Sequence, residues 1–503
     1  MYLTFDVGTT SVKTVLYDKN GGILHKVIKE YKLESPKVDW YEVNPEEYWN
    51  AVMDGFSEIL KVSGVNPSQI RTISGCSQGE TIILLDSEDN PIRPAIVWID
   101  NRAIDEVEEL KKVVSREEFY LTTGLIEMEP TWSVFKLMWI KNHEPENFRL
   151  IDKIFLVEDY IVYRLTQRFV SSCSLLTSTG LIDIVKKRYW DRTVDYLGIR
   201  DKLPEMVPEG SIVGKLVPEI ASRLGLTENT LVIKGSMDQA TSAVGAGNID
   251  PGIITETTGS ALVVAITSEE PVMKKDVPLP LQPHVIEDRY LILPYAQTAG
   301  IVYKWFKDEF GGDLMGDSDR YDELNRLAES VKPGSDGLIV LPFLAGASYP
   351  ENDPYAKGVF YGVTLKHTRG HFVRAIMESI AFMLKKILLN VEKSGIKVDE
   401  VHSMGGGAKS DFWLQIKADV CGFPFIRMKE EETSTLGAAI IAATRIGDFS
   451  SVEEAVRLMV KKDRVFYPRE NLRGLYDDMF DSYNKIYYSL KPIFRKSAFP
   501  DNL

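Results

Sequence analysis

Three short turns contain the residue types that bind anionic groups. They occupy residues 8–11 (GTTS), 257–260 (TTGS) and 405–410 (GGGAKS). Glycine lets backbone N–H groups approach an anion, the hydroxyls of threonine and serine add donors, and a nearby cation such as Lys13 reaches phosphate. Each turn alone is more often a simple hairpin turn, and neither a GxxxxGK[ST] loop nor a GxGxxG loop in the right context is present. The three turns together predict a nucleotide-binding cradle of another kind, supplied from both halves of the chain.

Two aspartates stand where strands are predicted to end. Asp238 follows the apolar segment 231–235 and precedes a helix of small residues predicted from about residue 240. α/β enzymes place catalytic carboxylates at such strand ends, beside a helix N-terminus, although an Asp at this point is more often a helix cap. Asp6 ends the first predicted strand, just before the first turn. Its position suits water-mediated Mg²⁺ binding, with a turn-stabilising Asp as the simpler interpretation.

Two further patterns match known motifs but lack the context that these motifs require. Residues 75–79 (GCSQG) have the GxSxG spacing that would make Ser77 the nucleophile of a serine hydrolase. That motif requires a helix after the serine, whereas residues 81–85 have the pattern of a strand, so the hydrolase is kept only as an alternative from a different class. His367 and His371 have the spacing of a helical zinc pair, but Gly370 interrupts the helix and no Glu follows His367. No zinc site is expected there.

The elements that must position these residues alternate between strands and helices. Strands are predicted at residues 2–7, 12–17, 23–33, 70–74, 81–85 and 398–404, and helices at residues 45–60, 102–114, 148–166, 410–420, 433–444, 452–460 and 472–490. Asn44 and Pro45 are expected as the N-cap and first residue of the first helix, and Ser410 as the N-cap of a later one. This alternation predicts an α/β fold.

The chain also contains an internal repeat. Residues 253–264 (IITETTGSALVV) repeat the layout of residues 3–15, which is a strand, a small-residue turn and a second strand. Gly8 and Gly259 are 251 residues apart, half of the 503-residue chain. Two unrelated hairpins would give a similar local pattern, but the coincidence with the midpoint favours two related halves. We therefore expect domains at residues 1–248 and 249–503, with peripheral helices from about residue 451.

Composition and charge restrict the partners and the compartment. The 59 basic and 73 acidic side chains give a net charge of −14, so no cationic excess is present to neutralise a nucleic acid or an anionic membrane. No segment approaches the roughly 18 apolar residues of a membrane span, and the sequence begins directly with a strand pattern rather than a signal peptide. The three widely spaced cysteines, Cys76, Cys173 and Cys421, argue for a reducing compartment and against structural zinc. The cytoplasm is the expected location.

Seven segments, taken in order, resemble motifs of the FGGY carbohydrate kinases, a family that includes glycerol kinase and xylulokinase. They are residues 6–13 (DVGTTSVK, like the first phosphate motif), 95–102 (AIVWIDNR, like W-x-D-x-R), 235–247 (like the catalytic Asp segment), 255–261 (like the second phosphate motif), 299–306, 358–364 (GVFYGVT) and 405–413 (like the adenosine motif). The resemblance extends to about residue 450. One such motif is weak, but seven in the expected order form a specific pattern.

This resemblance implies a fold and a reaction. The fold would be α/β, with two ribonuclease-H-like domains of the actin-like ATPase superfold and an interdomain cleft. The reaction would be transfer of phosphate from ATP, with Mg²⁺, to a terminal hydroxyl of a small sugar. The sugar would bind mainly to the first domain and ATP mainly to the second.

The resemblance also implies roles for individual residues. Asp238 would be the general base for the accepting hydroxyl, and Asp6 would bind the metal. Substrate binding is expected from Gln78, Gly79, Glu80, Asp100, Trp132 and Gln239, and ATP binding from Gly8, Thr9, Thr10, Ser11, Lys13, Thr258, Gly259, Ser260, Gly300, Gly405, Gly406 and Gly407. Thr258 and Ser260 would offer hydroxyls to the nucleotide, and Gly406 is expected to need the positive φ that glycine permits.

The substrate is predicted from one loop. Glycerol kinases carry Gln-Arg-Glu-Thr where this chain has Gln78-Gly79-Glu80-Thr81, and they share its Asp238-Gln239 pair, whereas xylulokinases carry Met-His at Ser77-Gln78 and Asp-Asn at the pair. Residues 356–360 are more similar to xylulokinases. The missing Arg at Gly79 leaves space for a substrate longer than glycerol.

We therefore expect D-xylulose as the substrate, with glycerol or another polyol or sugar acid as the alternative. A catalytically inactive, sugar-sensing relative is a further alternative, disfavoured by Asp238 and by both phosphate turns. The partners expected are a small sugar or polyol, with no nucleic acid and no membrane. The oligomeric state stays open, with a homodimer as one option.

Overall fold

The computed structural model describes residues 1–312 and 317–498. These residues divide into two compact units. The first unit comprises Met1–Ile249 together with the later segments Ser268–Leu291 and Glu432–Lys461, and the remaining described residues form the second unit. The first segment ends next to the expected boundary at residue 248, whereas the two later segments lie outside the range expected for the first domain.

Helices occur along the whole described chain. In order, they are α1 (Pro45–Ser63), α2 (Ile104–Leu110), α3 (Arg116–Thr123), α4 (Ser133–His143), α5 (Pro145–Leu150), α6 (Val157–Thr166), α7 (Asp191–Leu197), α8 (Pro218–Leu224), α9 (Asp238–Gly245), α10 (Gly300–Phe310), α11 (Asp317–Glu329), α12 (Arg369–Lys393), α13 (Asp411–Cys421), α14 (Thr433–Arg445), α15 (Val452–Met459) and α16 (Arg473–Ala498). Among the described residues, no helix combines the length and apolar composition that a membrane crossing needs.

Strands alternate with these helices. They are β1 (Tyr2–Val7), β2 (Ser11–Tyr17), β3 (Ile23–Glu30), β4 (Glu42–Val43), β5 (Thr72–Ser77), β6 (Ile83–Leu85), β7 (Ala95–Ile96), β8 (Lys153–Phe155), β9 (Val170–Ser171), β10 (Ile182–Asp183), β11 (Arg188–Tyr189), β12 (Glu205–Met206), β13 (Ile212–Lys215), β14 (Leu231–Met237), β15 (Ile253–Thr258), β16 (Leu262–Ser268), β17 (Leu281–Pro283), β18 (Tyr290–Ile292), β19 (Tyr295–Ala296), β20 (Ile339–Leu341), β21 (Val359–Tyr361), β22 (Glu400–Met404), β23 (Phe425–Met428) and β24 (Lys462–Phe466). The predicted α/β class matches this alternation.

The main sheet of the first unit has the strand order β13-β14-β5-β1-β2-β3. β1 pairs antiparallel with β2 and parallel with β5, and β14 continues parallel beyond β5. Both neighbours of the parallel block, β2 and β13, run antiparallel to it. The carboxyl ends of β1, β5 and β14 therefore meet at one edge of the sheet, where open α/β sheets place their ligands.

The second unit repeats this arrangement. β15 pairs antiparallel with β16 and parallel with β22, β23 continues parallel, and β24 closes the edge antiparallel. The succession β16-β15-β22-β23-β24 thus has the same directions as β2-β1-β5-β14-β13. The internal repeat predicted from residues 3–15 and 253–264 corresponds to the first hairpin of each sheet.

Most predicted elements form close to the expected residues, and two predicted helix starts are confirmed. Asn44 accepts a hydrogen bond from the Glu46 N–H at 3.1 Å, and Ser410 accepts one from the Trp413 N–H at 3.3 Å. The helix predicted at residues 148–166 is wrong, because β8 separates α5 from α6 there. β8 pairs antiparallel with β6, so tertiary pairing overrides a continuous apolar pattern.

Two helices of the first unit pack with little space between their backbones. A Cβ atom built on Gly245 of α9 would lie 1.9 Å from the Thr433 carbonyl oxygen, and one built on Gly437 of α14 would lie 1.9 Å from the Thr241 carbonyl oxygen. Only glycine, at Gly245 and at Gly437, permits the two helix backbones to approach so closely. The contact fixes α14 against the helix that begins at Asp238.

The three cysteines, Cys76, Cys173 and Cys421, are free and buried. Burial raises the pKa of each thiol above its ordinary value. All three side chains therefore act as small apolar residues of the core.

Candidate active site

The carboxyl edge of the first sheet brings together segments that are far apart in sequence. Asp6 on β1 lies opposite Cys76 on β5, and Cys76 in turn lies opposite Ser236 on β14. Gly8, Gln78 and Asp238 each follow the end of one of these strands. The sheet thus places the first turn, the predicted substrate loop and the predicted base along one edge.

Asp238 is the first residue of α9, which starts two residues earlier than predicted. The N-cap is Met237, so the helix-cap interpretation of Asp238 is wrong. The Asp238 Oδ1 accepts a hydrogen bond of 2.6 Å from the Gln239 N–H. Its side chain is partly exposed, but burial among protein atoms raises the pKa to about 8, aided by the negative charges of Asp6 and Glu80. A carboxyl group with this pKa exchanges protons near neutral pH, as a general base must.

Asp6 is enclosed by groups that stabilise its charge. The Ser434 hydroxyl, at the start of α14, donates a 2.7 Å hydrogen bond to Asp6 Oδ2, and Lys13 Nζ lies 4.0 Å from the same oxygen. Burial raises the pKa of Asp6, and Lys13 opposes that rise. Lys13 Nζ also lies 3.2 Å from Glu432 Oε2, so two carboxylates hold this cation beside the first turn.

The first turn is tied to its surroundings by its backbone. The Gly8 N–H donates to the Ser11 carbonyl at 3.0 Å, the Gly8 carbonyl accepts from the Tyr31 hydroxyl, and the Thr10 carbonyl accepts from the Tyr31 N–H at 3.0 Å. Thr10 itself is exposed. These bonds preform the turn before any ligand binds.

The predicted substrate loop contains an unusual backbone and an unpartnered acceptor. Gln78 is buried, its Nε2 donates to the Tyr48 hydroxyl at 3.3 Å, and its Oε1 has no hydrogen-bond partner among the described residues. Glu80 has φ +55°, a conformation that a non-glycine residue rarely adopts. Strain of this kind concentrates at functional sites, where surrounding contacts maintain it.

A buried lysine maintains that conformation. Lys136 Nζ, on α4, donates to the Glu80 carbonyl and to the Trp98 carbonyl, both at 3.3 Å, and the Ser133 hydroxyl donates to the Glu80 carbonyl at 3.0 Å. Burial raises the pKa of the Glu80 carboxyl group and lowers that of Lys136 to about 7. One side chain therefore links the predicted substrate loop to the W-x-D-x-R loop.

Trp98 belongs to the W-x-D-x-R loop, and Lys136 donates to its carbonyl group. Trp98 is 39% exposed, and its Nε1 donates a 2.9 Å hydrogen bond to the Thr9 hydroxyl. An exposed aromatic ring beside the first turn offers an apolar face to a ligand there.

Asp100 has a different environment from the other predicted substrate residues. It is fully buried, and its two oxygens accept hydrogen bonds from the Arg102 side chain at 2.9 and 2.7 Å, from the Arg102 N–H at 3.0 Å and from the Tyr41 N–H at 2.6 Å. These four bonds fix the W-x-D-x-R loop. Direct contact of Asp100 with substrate stays a prediction, and the geometry favours a role in shaping this loop.

Trp132 and Gln239 remain accessible. Both are partly exposed, and Trp132 Nε1 donates to the Glu127 carbonyl at 2.9 Å. Trp132 directly precedes α4, which carries Lys136. Gln239 directly follows Asp238.

In the second unit, three hydrogen-bonded side chains support the turn after β15, and we call them the triad: Glu256, Thr258 and Lys417. Thr258 donates its hydroxyl hydrogen to Glu256 Oε2 at 2.7 Å, and Lys417 Nζ donates to the Thr258 hydroxyl at 2.8 Å and to Glu256 Oε1 at 2.7 Å. Lys417 and Glu256 are fully buried. The Thr258 hydroxyl hydrogen is therefore committed within the protein, and a contact between Thr258 and nucleotide stays a prediction. Ser260, by contrast, is exposed.

Glycines surround that turn at short distances. The Gly300 N–H donates to the Gly259 carbonyl at 2.9 Å, and a Cβ atom on Gly300 would lie 2.2 Å from this oxygen. A Cβ atom on Gly407 would lie 2.7 Å from Thr258 Cβ. These short distances arise because β15 and β22 pair in parallel, which brings the turns at residues 257–260 and 405–410 to one edge of the second sheet.

The positive φ in the glycine triplet belongs to a different residue from the one expected. Gly405 has φ +74° and ψ −168°, a region that is essentially restricted to glycine. Gly406 does not have a positive φ, and a Cβ atom there would lie 4.0 Å from the nearest contact, the Thr258 carbonyl oxygen. The expectation that Gly406 has a positive φ is therefore wrong.

Two family models match the chain in succession. The N-terminal domain of the FGGY family of carbohydrate kinases matches residues 1–245, and the C-terminal domain of that family matches residues 255–446. The chain belongs to the FGGY family of carbohydrate kinases. The resemblance drawn from the seven motifs is confirmed, as is the two-domain fold of this family. This FGGY kinase is an ATP-dependent sugar phosphotransferase.

Relatives of this FGGY kinase match it over nearly its whole length. A xylulose kinase from Staphylococcus epidermidis is 30% identical over 98% of this chain and 97% of its own. A gluconokinase from Bacillus subtilis is 30% identical over 90% of each chain. The crystal structure of a ligand-bound xylulose kinase from Lactobacillus acidophilus superposes with a TM-score of 0.91, at 28% identity, over 99% of this chain and 100% of its own.

The serine-hydrolase alternative is wrong for this FGGY kinase. Ser77 is fully buried at the end of β5; its hydroxyl donates to the Gln78 carbonyl at 2.9 Å and accepts from the Glu158 N–H at 3.1 Å. The next regular element is β6 rather than the helix that a nucleophile elbow needs. Ser77 therefore connects β5 to the start of α6.

The donor groups at the site fit Mg²⁺ that arrives with a nucleotide. No group of three His, Cys, Asp or Glu side chains among the described residues is arranged to hold a metal ion. Mg²⁺ commonly binds through one or two carboxylates, with phosphates and water as its other ligands. The Asp6 carboxylate supplies such a ligand beside Lys13 and the first turn, so the residues are compatible with Mg²⁺.

Sequence analysis missed several residues that shape this FGGY kinase site. They are Trp98, Lys136, Glu432 and Ser434 in the first unit, and Glu256 and Lys417 in the second. Trp98 had a signal, because it lies within the W-x-D-x-R motif. The others are single polar residues within helices, a cap or a strand, and their partners come from distant segments.

Proposed function

We propose that this kinase transfers the γ-phosphate of ATP to a terminal hydroxyl of a neutral ketose, with D-xylulose as the preferred substrate. The observation that carries the proposal is the buried Gln78 Oε1 of the substrate loop, which has no hydrogen-bond partner among the described residues, close in sequence to the Glu80 carboxyl group. A hydroxyl group of a sugar is a donor that matches this oxygen. Nearly full-length similarity to the S. epidermidis xylulose kinase supports the same choice.

Asp238 acts as the general base in this proposal. With a pKa near 8, it is ionised in about a tenth of the molecules at pH 7 and in more as the pH rises, and the ionised form takes the proton of the attacking hydroxyl. Gln239 and Trp132 line the sugar beside it, and Asp100 with Arg102 holds the loop that presents Trp98. Lys136 keeps the Glu80 loop and the Trp98 loop in register with each other.

Phosphate binding is assigned to the turns. In the first unit, Gly8, Thr9, Thr10 and Ser11 offer N–H and hydroxyl donors to the transferring phosphate, and Lys13 exchanges its ion pairs for the phosphate charge. In the second unit, Gly259 and Ser260 meet the ADP phosphates, while Thr258 acts through its backbone. The glycines that line the nucleoside are Gly300, Gly405, Gly406 and Gly407.

Asp6 would hold Mg²⁺ through water. When bound, the ion would neutralise charge on the phosphates during transfer. The Ser434 hydroxyl and Lys13 keep Asp6 in its orientation.

A sugar acid is the second candidate substrate, because the B. subtilis gluconokinase is as similar in identity as the xylulose kinase. The charges of the site argue against it. After burial, the negative charges of Asp6 and Glu80 raise the pKa of Asp238, and a carboxylate substrate would add to this negative charge. A neutral polyol such as glycerol would also avoid this repulsion.

A direct assay separates these candidates. ADP release is measured with D-xylulose, other ketoses, glycerol, other polyols and gluconate at several concentrations, and kcat/KM is compared. The highest kcat/KM with D-xylulose supports the proposal. A preference for gluconate would contradict the argument from charge, and a preference for glycerol would contradict the argument from the space at Gly79.

The cell compartment follows from the same proposal. A kinase that uses ATP and contains three free cysteines fits a reducing cytoplasm. Its partners in this proposal are the nucleotide and the sugar.

A further inference from the structure

We propose that a buried charge cluster, formed by Lys234, Glu158 and Asp159, positions Asp238 for catalysis by holding a β-bulge in the strand that carries it. This inference rests on the proposed role of Asp238 as the base. None of the three residues belongs to the seven motif segments as a ligand-binding position. All three are fully buried.

The bulge lies in β14, just before the base. Ile233 pairs with Ser74 of β5, but the next paired residue, Ser236, lies opposite Cys76. Three steps along β14 thus correspond to two steps along β5, so one residue is extra. A bulge of this kind re-aims the side chains that follow it.

The backbone of the bulge is satisfied by side chains. The Gly235 N–H donates to Glu158 Oε1 at 2.8 Å, and the Gly235 carbonyl accepts from the Ser172 hydroxyl at 3.2 Å. A Cβ atom at Gly235 would lie 1.7 Å from the Gly75 carbonyl oxygen, so the close approach of the two strands requires glycine. Glu158 and Ser172 replace the ladder bonds that the bulge removes.

Lys234 fixes the orientation of Glu158. Its Nζ donates to Glu158 Oε2 and lies 3.0 Å from Asp159 Oδ1. Both carboxylates belong to the first turn of α6, so the cluster joins this helix to the bulge. Burying three charged groups is unfavourable compared with an apolar core, and such groups are often retained for specificity of structure rather than for stability.

The geometric consequence for Asp238 follows from the strand period. If the extra residue were lost, β14 would slip by one position relative to β5, and each following side chain would turn to the opposite face. Ser236, Met237 and Asp238 come directly after the bulge. A misplacement of about 1 Å in a catalytic group can reduce turnover about 100-fold.

The test compares Glu158→Leu, Glu158→Gln and Ser172→Ala. We expect Glu158→Leu to reduce kcat about 100-fold, with the Kd for ADP measured by calorimetry unchanged. Glu158→Gln keeps an oxygen for the Gly235 N–H and should recover most of the kcat. Ser172→Ala removes a single hydrogen bond to the bulge and should reduce kcat about tenfold.

The matched control is another buried carboxylate that holds a glycine N–H. Glu378 in the second unit accepts from the Gly334 N–H at 3.0 Å and from Arg374 Nε at 2.8 Å. Glu378→Leu should cause comparable loss of thermal stability with no selective loss of kcat. If Glu378→Leu lowers kcat as much as Glu158→Leu does, the effect is general destabilisation and the proposal is overturned.

The outcome for Asp238→Asn separates this inference from the proposed function. If Asp238→Asn retains turnover, Asp238 is not the base and both fail. If Asp238→Asn is inactive while folded Glu158→Leu and Ser172→Ala keep the wild-type kcat, only the positioning role fails. Should Glu158→Leu not fold, Ser172→Ala decides whether the bulge positions Asp238, and a wild-type kcat in that variant overturns the proposal.

Discussion

The pKa of Asp238 makes the proposed base testable by pH. Because this carboxyl group is protonated below about pH 8, the free enzyme should lose kcat/KM by about tenfold per pH unit as the pH falls below that value. Asp238→Asn should lower kcat by about 10²–10⁴-fold and remove this dependence, while ADP still binds. The measurement is kcat/KM for the preferred sugar from pH 5.5 to 9, at constant ionic strength. A wild-type profile that is flat down to pH 6 would contradict the assignment.

The ionised side chain of Asp238 should reduce the stability of the folded protein. Its pKa in the folded protein is above the value of about 3.9 for an unfolded chain, so the folded state binds the proton more tightly. Ionisation therefore opposes folding, and this effect grows from about pH 4 to about pH 8. We expect Asp238→Asn to raise the Tm at pH 8 and to leave it nearly unchanged at pH 4. An equal Tm at both pH values for the two proteins would show that the pKa is not raised.

Gly79 offers a test of substrate size. A Cβ atom at this position would lie 3.0 Å from Met237 Sδ, the end of a flexible side chain that can shift. Gly79→Arg should therefore fold, fill the space and move the ratio of kcat/KM values from D-xylulose towards glycerol. Gly79→Ala is the control, because it adds a Cβ atom without a guanidinium group. If both variants change the ratio equally, the added charge and length have no role.

At this scale, the sequence identified the residues that carry chemistry but not their partners. Asp6, Lys13 and Asp238 follow from residue type and from family motifs. Ser434, Glu432 and Lys136 do not, because each acts on a segment between about 50 and 430 positions away, and no local pattern encodes such a contact.

Among the structural elements, the triad beneath the turn after β15 leads to a prediction about nucleotide affinity. Thr258→Val keeps the shape of the side chain but leaves Lys417 and Glu256 without their shared hydroxyl. A buried group that loses a partner costs about 1–3 kcal/mol, and the turn above it should lose order. We expect ADP affinity, measured by calorimetry, to fall about tenfold or more.

Ser260→Ala is the control for that variant. Ser260 lies in the same turn, but it is exposed and its side chain has no part in the triad. A large loss of affinity in Ser260→Ala with none in Thr258→Val would mean that direct hydroxyl contacts, rather than the triad, determine nucleotide binding.

The glycine triplet after β22 provides a second matched pair. Gly405→Ala forces a side chain into a φ/ψ region that costs about 1–3 kcal/mol for any other residue, and its Cβ atom would lie 3.1 Å from Thr257 Cγ2. Gly406→Ala adds a methyl group to open space. ADP affinity should therefore fall more in Gly405→Ala, which strains the turn itself, than in Gly406→Ala, which affects only the proposed contact with the nucleoside. The opposite order would show that contact of Gly406 with the nucleoside matters more than the backbone conformation of Gly405.

Helices and strands were predictable where local signals agree. α1 and α13 begin at their predicted caps, because Asn44 and Ser410 satisfy backbone N–H groups next to a periodic apolar pattern. The region 148–166 was not predictable, because the residues of β8 continue the apolar pattern of α6 and become a strand only through pairing with β6. The bulge in β14 likewise depends on a second strand.

At the scale of the molecule, the repeated hairpin was the strongest sequence signal for architecture. It predicted two related halves, and both sheets have the same succession of strand directions. The division into units was less accessible, because Ser268–Leu291 and Glu432–Lys461 cluster with the first unit although they follow the midpoint. α14 belongs there through its close packing on α9, which depends on Gly245 and Gly437 rather than on sequence order.

The burial of Cys76, Cys173 and Cys421 has a practical consequence for solution studies. Alkylating reagents attack the thiolate, and burial both shields these sulfur atoms and keeps them protonated. A cysteine introduced at an exposed position, such as Thr10 or Ser260, should therefore be the preferred site for a maleimide fluorophore. Site-specific labelling can therefore be carried out in the native sequence, without replacing any of its three cysteines.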